Sequence, residues 1–177
     1  EAYSYSQMVD VWGDVPFQQS NTAPETYTPS PDEDSSIYPE VLAMLDEGIA
    51  NVEKTSTLTP GSDDLIYGGN MASWRKFAKT VKLKLYNQLR LVQDVSGEVN
   101  ALLAEGDLIG DQGEDFELAY GQSQSPDNRN PGFIADNLGT RIYYISVWFY
   151  ETLTGKNPAI LDGIIDPRVP YYWYNQL

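Results

Sequence analysis

Asp64–Leu85 reads DLIYGGNMASWRKFAKTVKLKL. It closes a loop, TSTLTPGSDDLIYGGN (residues 55–70), whose glycine, proline and acid content is turn chemistry. Beyond the loop the pattern becomes helical. At 3.6 residues per turn, Trp74, Phe77, Ala78, Val81, Leu85, Leu89 and Val92 share one face, and Arg75, Lys76, Lys79, Lys82 and Arg90 share another. Six of the eleven basic residues fall between Arg75 and Arg90, in a chain whose net charge is −15. Such a stripe either binds an anion or meets acids on neighbouring helices. Paired charge faces are common, so Glu40, Asp46, Glu47 and Glu53 are the expected partners.

A second helix precedes this one. In SIYPEVLAMLDEGIANVEK (Ser36–Lys54), Ile37, Val41, Leu45, Ile49 and Val52 form one apolar stripe. Ser35 or Ser36 is the expected cap, and Pro39 lies in the first turn, where its missing N–H costs little. Tyr38 and Trp74 are 36 positions apart, close to the tetratricopeptide period of about 34.

Towards the N-terminus, EAYSYSQMVDVW (residues 1–12) reads as the end of a helix stopped by Gly13, and WGDVP makes a corner because Pro16 keeps Val15 out of helical geometry. Residues 18–35 form an exposed connection. Towards the C-terminus, residues 96–105 give a short helix ending at Gly106, and DLIG and DFELAY suggest a small β-hairpin. GQSQSPDNRNPGFIADN is a polar loop of 17 residues, longer than compact domains usually carry without a binding role. A helix is expected near Leu138–Leu153, its aromatic face packed in the core. ILDGIIDPRVPYYWYNQL then closes the chain in short extended pieces. The expected fold is mainly α: tetratricopeptide-like helix hairpins with a small β-hairpin and long loops.

Composition removes several functions. A charge of −15 disfavours nucleic acid and anionic lipid. There is no His and no Cys, so imidazole catalysis, thiolate chemistry, disulfides and Cys-based zinc sites are excluded. No apolar run reaches the roughly 20 residues that span a bilayer. The 177 residues suit one domain or part of a larger one, and a start at Glu1 inside a helix reads as a fragment. Asp111, Glu114, Asp115 and Glu117 cluster as a solvated turn would. Neither they nor Asp32–Asp34 follow calcium-loop spacing, so no catalytic, metal or cofactor site is expected.

Binding is better supported. Thirteen Tyr and four Trp are the residues that stack a ring on a sugar face, beside planar polar groups that bond its hydroxyls. Gln122, Gln124, Asn128, Arg129, Asn130 and Phe133 in the long loop, with Trp173 in the tail, are the candidate ligand contacts.

Three segments in order, VDVWGDVPF (Val9–Phe17), Asp64–Leu85 and DPRVPYYW (Asp166–Trp173), resemble the SusD/RagB family of outer-membrane nutrient-binding lipoproteins. The similarity runs over essentially the whole chain and covers the middle of a typical member, so residues 1–177 read as the central part of a single SusD-like domain. Thr80, Lys84 and Gly48 depart from the family pattern at helix-surface or packing positions, and the lipid-attachment Cys is missing. The resemblance implies a non-catalytic lipoprotein on the outer face of the outer membrane. Such a protein would capture oligosaccharides, or peptides in the RagB branch, and pass them to a SusC-type TonB-dependent transporter. It also implies that the Trp12–Pro16 corner and the Asp166–Arg168 turn are structural joints. A helical-repeat scaffold for protein partners is one remaining alternative, and a glycosidase, which would need two carboxylates facing each other across a cleft, is the other.

Overall fold

The computed structural model describes residues 1–138 and 146–172. They form two compact units, residues 1–119 and 120–177.

The first unit is built on α1 (Ala2–Trp12), α2 (Asp34–Val52), α3 (Met71–Leu89) and α4 (Ser96–Glu105). α2 packs against α1 and α3, and α3 against α4, the neighbour-to-neighbour pairing of helix hairpins. The core draws on residues four apart on each helix: Tyr5 and Val9 on α1, Ile37, Val41 and Leu45 on α2, Val81 and Leu85 on α3. Burying each such aliphatic side chain stabilises the fold by about 1.5–3 kcal/mol. Ile49 and Val52, on the same stripe, are half-buried. The α3 stripe ends sooner than its pattern implies. The amides of Val92 and Gln93 both donate to the Leu89 carbonyl at 2.9 Å, turning the chain out of the helix and leaving Val92 exposed.

Local chemistry explains the helix ends. Gly13 stops α1 with φ +70°. The Asp14 carboxylate accepts from the Asp34 amide at 3.1 Å, which ties the Trp12–Pro16 corner to the start of α2. Asp32 accepts from the Phe17 and Gln18 amides, each at 2.9 Å, and its own amide donates to the Val15 carbonyl at 3.0 Å. Helix α2 therefore begins at Asp34, and Ser36 turns its hydroxyl back to the Glu33 carbonyl instead of capping an amide.

The DLIYGGN turn is organised by Asp64. Its carboxylate accepts from the amides of Ile66, Tyr67 and Gly69 and from the Trp74 indole N–H, at 2.7 to 3.2 Å. These donors hold the Asp64 carboxyl down at about 2, the Trp74 bond contributing most. Gly69 has φ +86°, and a Cβ there would lie 1.9 Å from the Pro60 carbonyl oxygen, so only glycine fits. Asn70 caps α3 by accepting from the Ala72 and Ser73 amides.

The expected β-hairpin at 107–120 is not formed. In its place Gln112–Glu114 makes a 3-10 turn, and the segment is laid over α3 by side-chain contacts. Phe116 stacks on Phe77 with centroids 4.2 Å apart. Tyr67 donates its hydroxyl to the Glu114 carbonyl at 3.0 Å, and Ile109 donates its amide to the Thr80 hydroxyl at 3.0 Å. Backbone groups that a hairpin would pair across strands are taken by α3 and its loop. This also settles the basic stripe, most of which is paired with acids, while Arg90 donates to the Asn87 carbonyl. Arg75 and Lys79 share Asp107, Lys79 also reaches Glu105, Lys76 binds Glu114, Lys82 binds Asp46 and Lys84 binds Asp10. Of the four acids expected from the sequence, Asp46 is the one that forms an ion pair among the described residues.

The second unit contains the three-residue α5 (Pro131–Phe133), a π turn (Ile134–Leu138), α6 (Val147–Leu153) and α7 (Val169–Tyr172). The expected helix near Leu138–Leu153 is described from Val147 onward, and residues 139–145 lie outside the described residues. Among its described aromatic residues, Trp148, Phe149 and Tyr150 are exposed and not in a core. After α6 the chain doubles back: Asp166 donates its amide to the Leu153 carbonyl at 2.8 Å. Gly155, at φ +68°, lets the backbone of Ile164 approach to where a Cβ would be 2.8 Å away. Asn157, buried, clasps this turn through the Thr152 hydroxyl and the Ala159 amide.

Candidate functional site

The long polar loop of the second unit is folded on itself. Gly121 donates its amide to the Asn128 carbonyl at 2.8 Å, and Asn128 donates to the Ser123 carbonyl at 3.2 Å. Ser123 donates in turn to the Asn128 side-chain oxygen at 2.9 Å. A Cβ at Gly121 would come within 2.5 Å of the Asn128 amide group, which would have to shift to admit it. Gln124 and Asp127 form an isolated bridge at the tip. Asn130 then accepts from the Gly132 and Phe133 amides and, with Pro131 behind it, turns the chain into α5.

The result is a shallow pocket of about 420 Å³ lined by Tyr120, Gly121, Gln122, Arg129, Asn130 and Phe133. Tyr120 and Phe133 are each 49% exposed, leaving ring surface in the opening beside the amide of Gln122 and the guanidinium of Arg129. Arg129 is fixed. Its amide and Nε donate to Asp127 Oδ1 at 3.1 and 2.9 Å, and its Nη2 to Oδ2 at 2.7 Å. The paired guanidinium, then the Arg129 amide, hold the Asp127 carboxyl at about 2. The turn at Asp166–Arg168 repeats this arrangement, with the corresponding distances 2.8, 2.9 and 2.7 Å.

Of the seven candidate contacts, Gln122, Arg129, Asn130 and Phe133 are brought together in this pocket. Gln124 sits at the loop tip and does not line it. Asn128 spends its polar groups on closing the loop. Trp173 lies outside the described residues. Tyr120 and Asp127 are the residues that the sequence reading passed over. The D-x-R spacing, common to Asp127–Arg129 and Asp166–Arg168, is the signal that would have found Asp127.

A larger groove, about 860 Å³, lies in the first unit between α3 and α4, lined by residues that include Leu83, Tyr86, Val95, Val99 and Leu103. Its walls are chiefly apolar. Among the described residues no group of three or more acids could hold a metal ion, and no helix is long and apolar enough to cross a membrane.

The model of the SusD-like family, described as starch-binding and associating with the outer membrane, matches residues 1–176. An outer-membrane protein of Bacteroides vulgatus assigned to nutrient binding superposes with a TM-score of 0.70 at 25% identity, over 87% of this chain and 34% of its own. A SusD/RagB family protein of Bacteroides thetaiotaomicron gives 0.65 at 24% identity, over 78% and 28%. A chitin-binding SusD homologue of Flavobacterium johnsoniae gives 0.65 at 20%, over 86% and 32%. The chain thus spans about a third of the length of these structures. No curated protein sequence matches it. The helical fold, the motifs that build its joints and the match along nearly its full length place this chain in the SusD-like family.

Proposed function

We propose that this chain is the central part of a non-catalytic, outward-facing outer-membrane lipoprotein that captures oligosaccharides and delivers them to a SusC-type TonB-dependent transporter. The observation that carries the reading is the 120–133 pocket, where exposed Tyr120 and Phe133 line one opening together with Gln122, Arg129 and Asn130. Aromatic rings offer faces to the C–H surface of a sugar, and planar amides offer paired donors and acceptors to its hydroxyls. Membership of a family described as starch-binding supports the same ligand class. Trp173 remains a proposed further contact. The deep acidic cavity that a peptide-binding RagB-like component would use has no counterpart in this shallow pocket.

The test is isothermal calorimetry with neutral oligosaccharides and with peptides of equal length. Saturable sugar binding, weakened by Phe133→Ala, supports the reading. Binding of peptides alone moves the protein to the peptide-uptake branch.

A second reading, a scaffold for protein partners, is favoured by the apolar α3–α4 groove. It predicts that Leu103→Asp abolishes a protein contact and leaves sugar binding untouched.

A further inference from the structure

Resting on the oligosaccharide reading above, we propose that the 120–133 pocket selects uncharged sugars over uronic-acid or sulfated ones, and that Asp127 enforces the choice. Arginine is the residue that captures a carboxylate or sulfate, through two parallel N–H bonds from its planar fork. Arg129 is the one charged residue lining this pocket among the described residues, and its fork is already engaged. Nε and Nη2 both donate to the Asp127 carboxylate, and the Arg129 amide adds a third bond. These bonds hold the Arg129 side chain, 16% exposed, against its own loop.

An acidic sugar reaching Arg129 would have to displace Asp127 or share the guanidinium with it. Either outcome sets a second anion beside a carboxylate that remains ionised through the physiological range, since its partner holds it at about 2. Like charges brought together at a contact are a recognised means of excluding a ligand. The chain's net charge of −15 acts in the same sense at longer range, until salt screens it beyond about 8 Å. An uncharged sugar meets neither obstacle. It needs the ring faces of Tyr120 and Phe133 and the amide of Gln122, none of which carries charge.

The same three bonds recur at Asp166–Arg168, away from this pocket's lining, so the D-x-R unit is a turn that holds its own guanidinium. Arg129 is therefore a wall of the pocket, and Asp127 is the specificity-determining residue behind it.

The experiment is calorimetry on the purified full chain with four hexasaccharides: uncharged glucose and N-acetylglucosamine oligomers, a hexagalacturonate and a sulfated glucose oligomer. Wild type, Asp127→Ala, Asp127→Asn, Arg129→Ala and Phe133→Ala are compared. Wild type is expected to bind an uncharged oligomer at least about tenfold more tightly than either acidic one, equivalent to about 1.4 kcal/mol. Either Asp127 variant should erase most of that ratio by gaining acidic ligands, while Phe133→Ala weakens both classes. If Asp127→Ala loses its circular dichroism signal, Asp127→Asn, which keeps the shape, carries the comparison. Tight wild-type binding of hexagalacturonate, lost in Arg129→Ala, overturns this inference and leaves the capture reading standing. Absence of sugar binding, or binding indifferent to Phe133→Ala, overturns the capture reading at this pocket and the inference with it.

Discussion

Truncating Leu85 to alanine probes the α1–α2–α3 core at its centre. Leu85 is 0% exposed and lies among Ser6, Val9, Ile37, Tyr38 and Val41. Nothing there can slide in cheaply to fill the gap, because residues from three helices already meet. Loss of the buried carbons plus the cavity left behind should cost about 3 kcal/mol. With a slope of about 1.5 kcal/mol per M in urea, the unfolding midpoint falls by about 2 M. Val92, on the same helical stripe by sequence but 81% exposed, is the internal control: Val92→Ala should cost at most about 0.5 kcal/mol. Urea titrations followed by far-ultraviolet circular dichroism make the comparison. Equal losses would mean that the stripe is buried past Leu89 and that α3 does not turn out there. A negligible loss for Leu85→Ala would remove it from the core altogether.

Three further outcomes are expected. Gly69→Ala should destabilise the first unit more than Gly68→Ala, since a Cβ at 69 meets the Pro60 carbonyl at 1.9 Å while one at 68 meets nothing within 4 Å. The Gly68 change carries only the left-handed backbone strain of about 1–2 kcal/mol, and thermal melts of the pair decide it. The folded Asp64, Asp107, Asp127 and Asp166 carboxyls are all held at about 2, below the roughly 3.9 of an unfolded chain. Their contribution is therefore full above pH 4 and drains away as pH falls towards 2. Asp64→Asn should flatten that acid limb in melts taken from pH 5 to 2, and an unchanged limb would refute the role given to Asp64. Asp107→Asn removes the shared partner of Arg75 and Lys79. It should cost about 1 kcal/mol at low salt and less at 1 M salt, measured by urea unfolding at both.

Helices were legible in the sequence because their stripes arise from local periodicity, as Ile37, Val41 and Leu45 show. The failures share a cause. DLIG and DFELAY have hairpin-like composition, yet Phe116 finds Phe77 and Glu114 finds Lys76, contacts that no local pattern encodes. Likewise Val92 continues the α3 stripe on paper, but the doubled bond at the Leu89 carbonyl ends the helix first. The aromatic residues of α6 look like core and are exposed, since amphipathic pattern reports the strength of a face and not what covers it. In the pocket, residue chemistry picked out Gln122, Arg129, Asn130 and Phe133. It could not tell that Asn128, with similar chemistry, is used up by the backbone of its own loop.

The Asp64 turn has a consequence for the order in which the first unit assembles. All four of its donors lie within ten residues of Asp64 in the chain, so this knot closes with the small entropy loss of a short loop. The contacts that tie the 107–116 segment to this turn and to α3 come from farther away: Asp107 reaches back 28 residues to Lys79, and Glu114 reaches back 47 to Tyr67. The start of α3 is thus shaped early, on the sub-microsecond scale of local loop closure, and offers a template onto which the 107–116 segment settles late. Substitutions at Asp64 or Gly69 should then slow folding, whereas those at Phe116 should chiefly quicken unfolding.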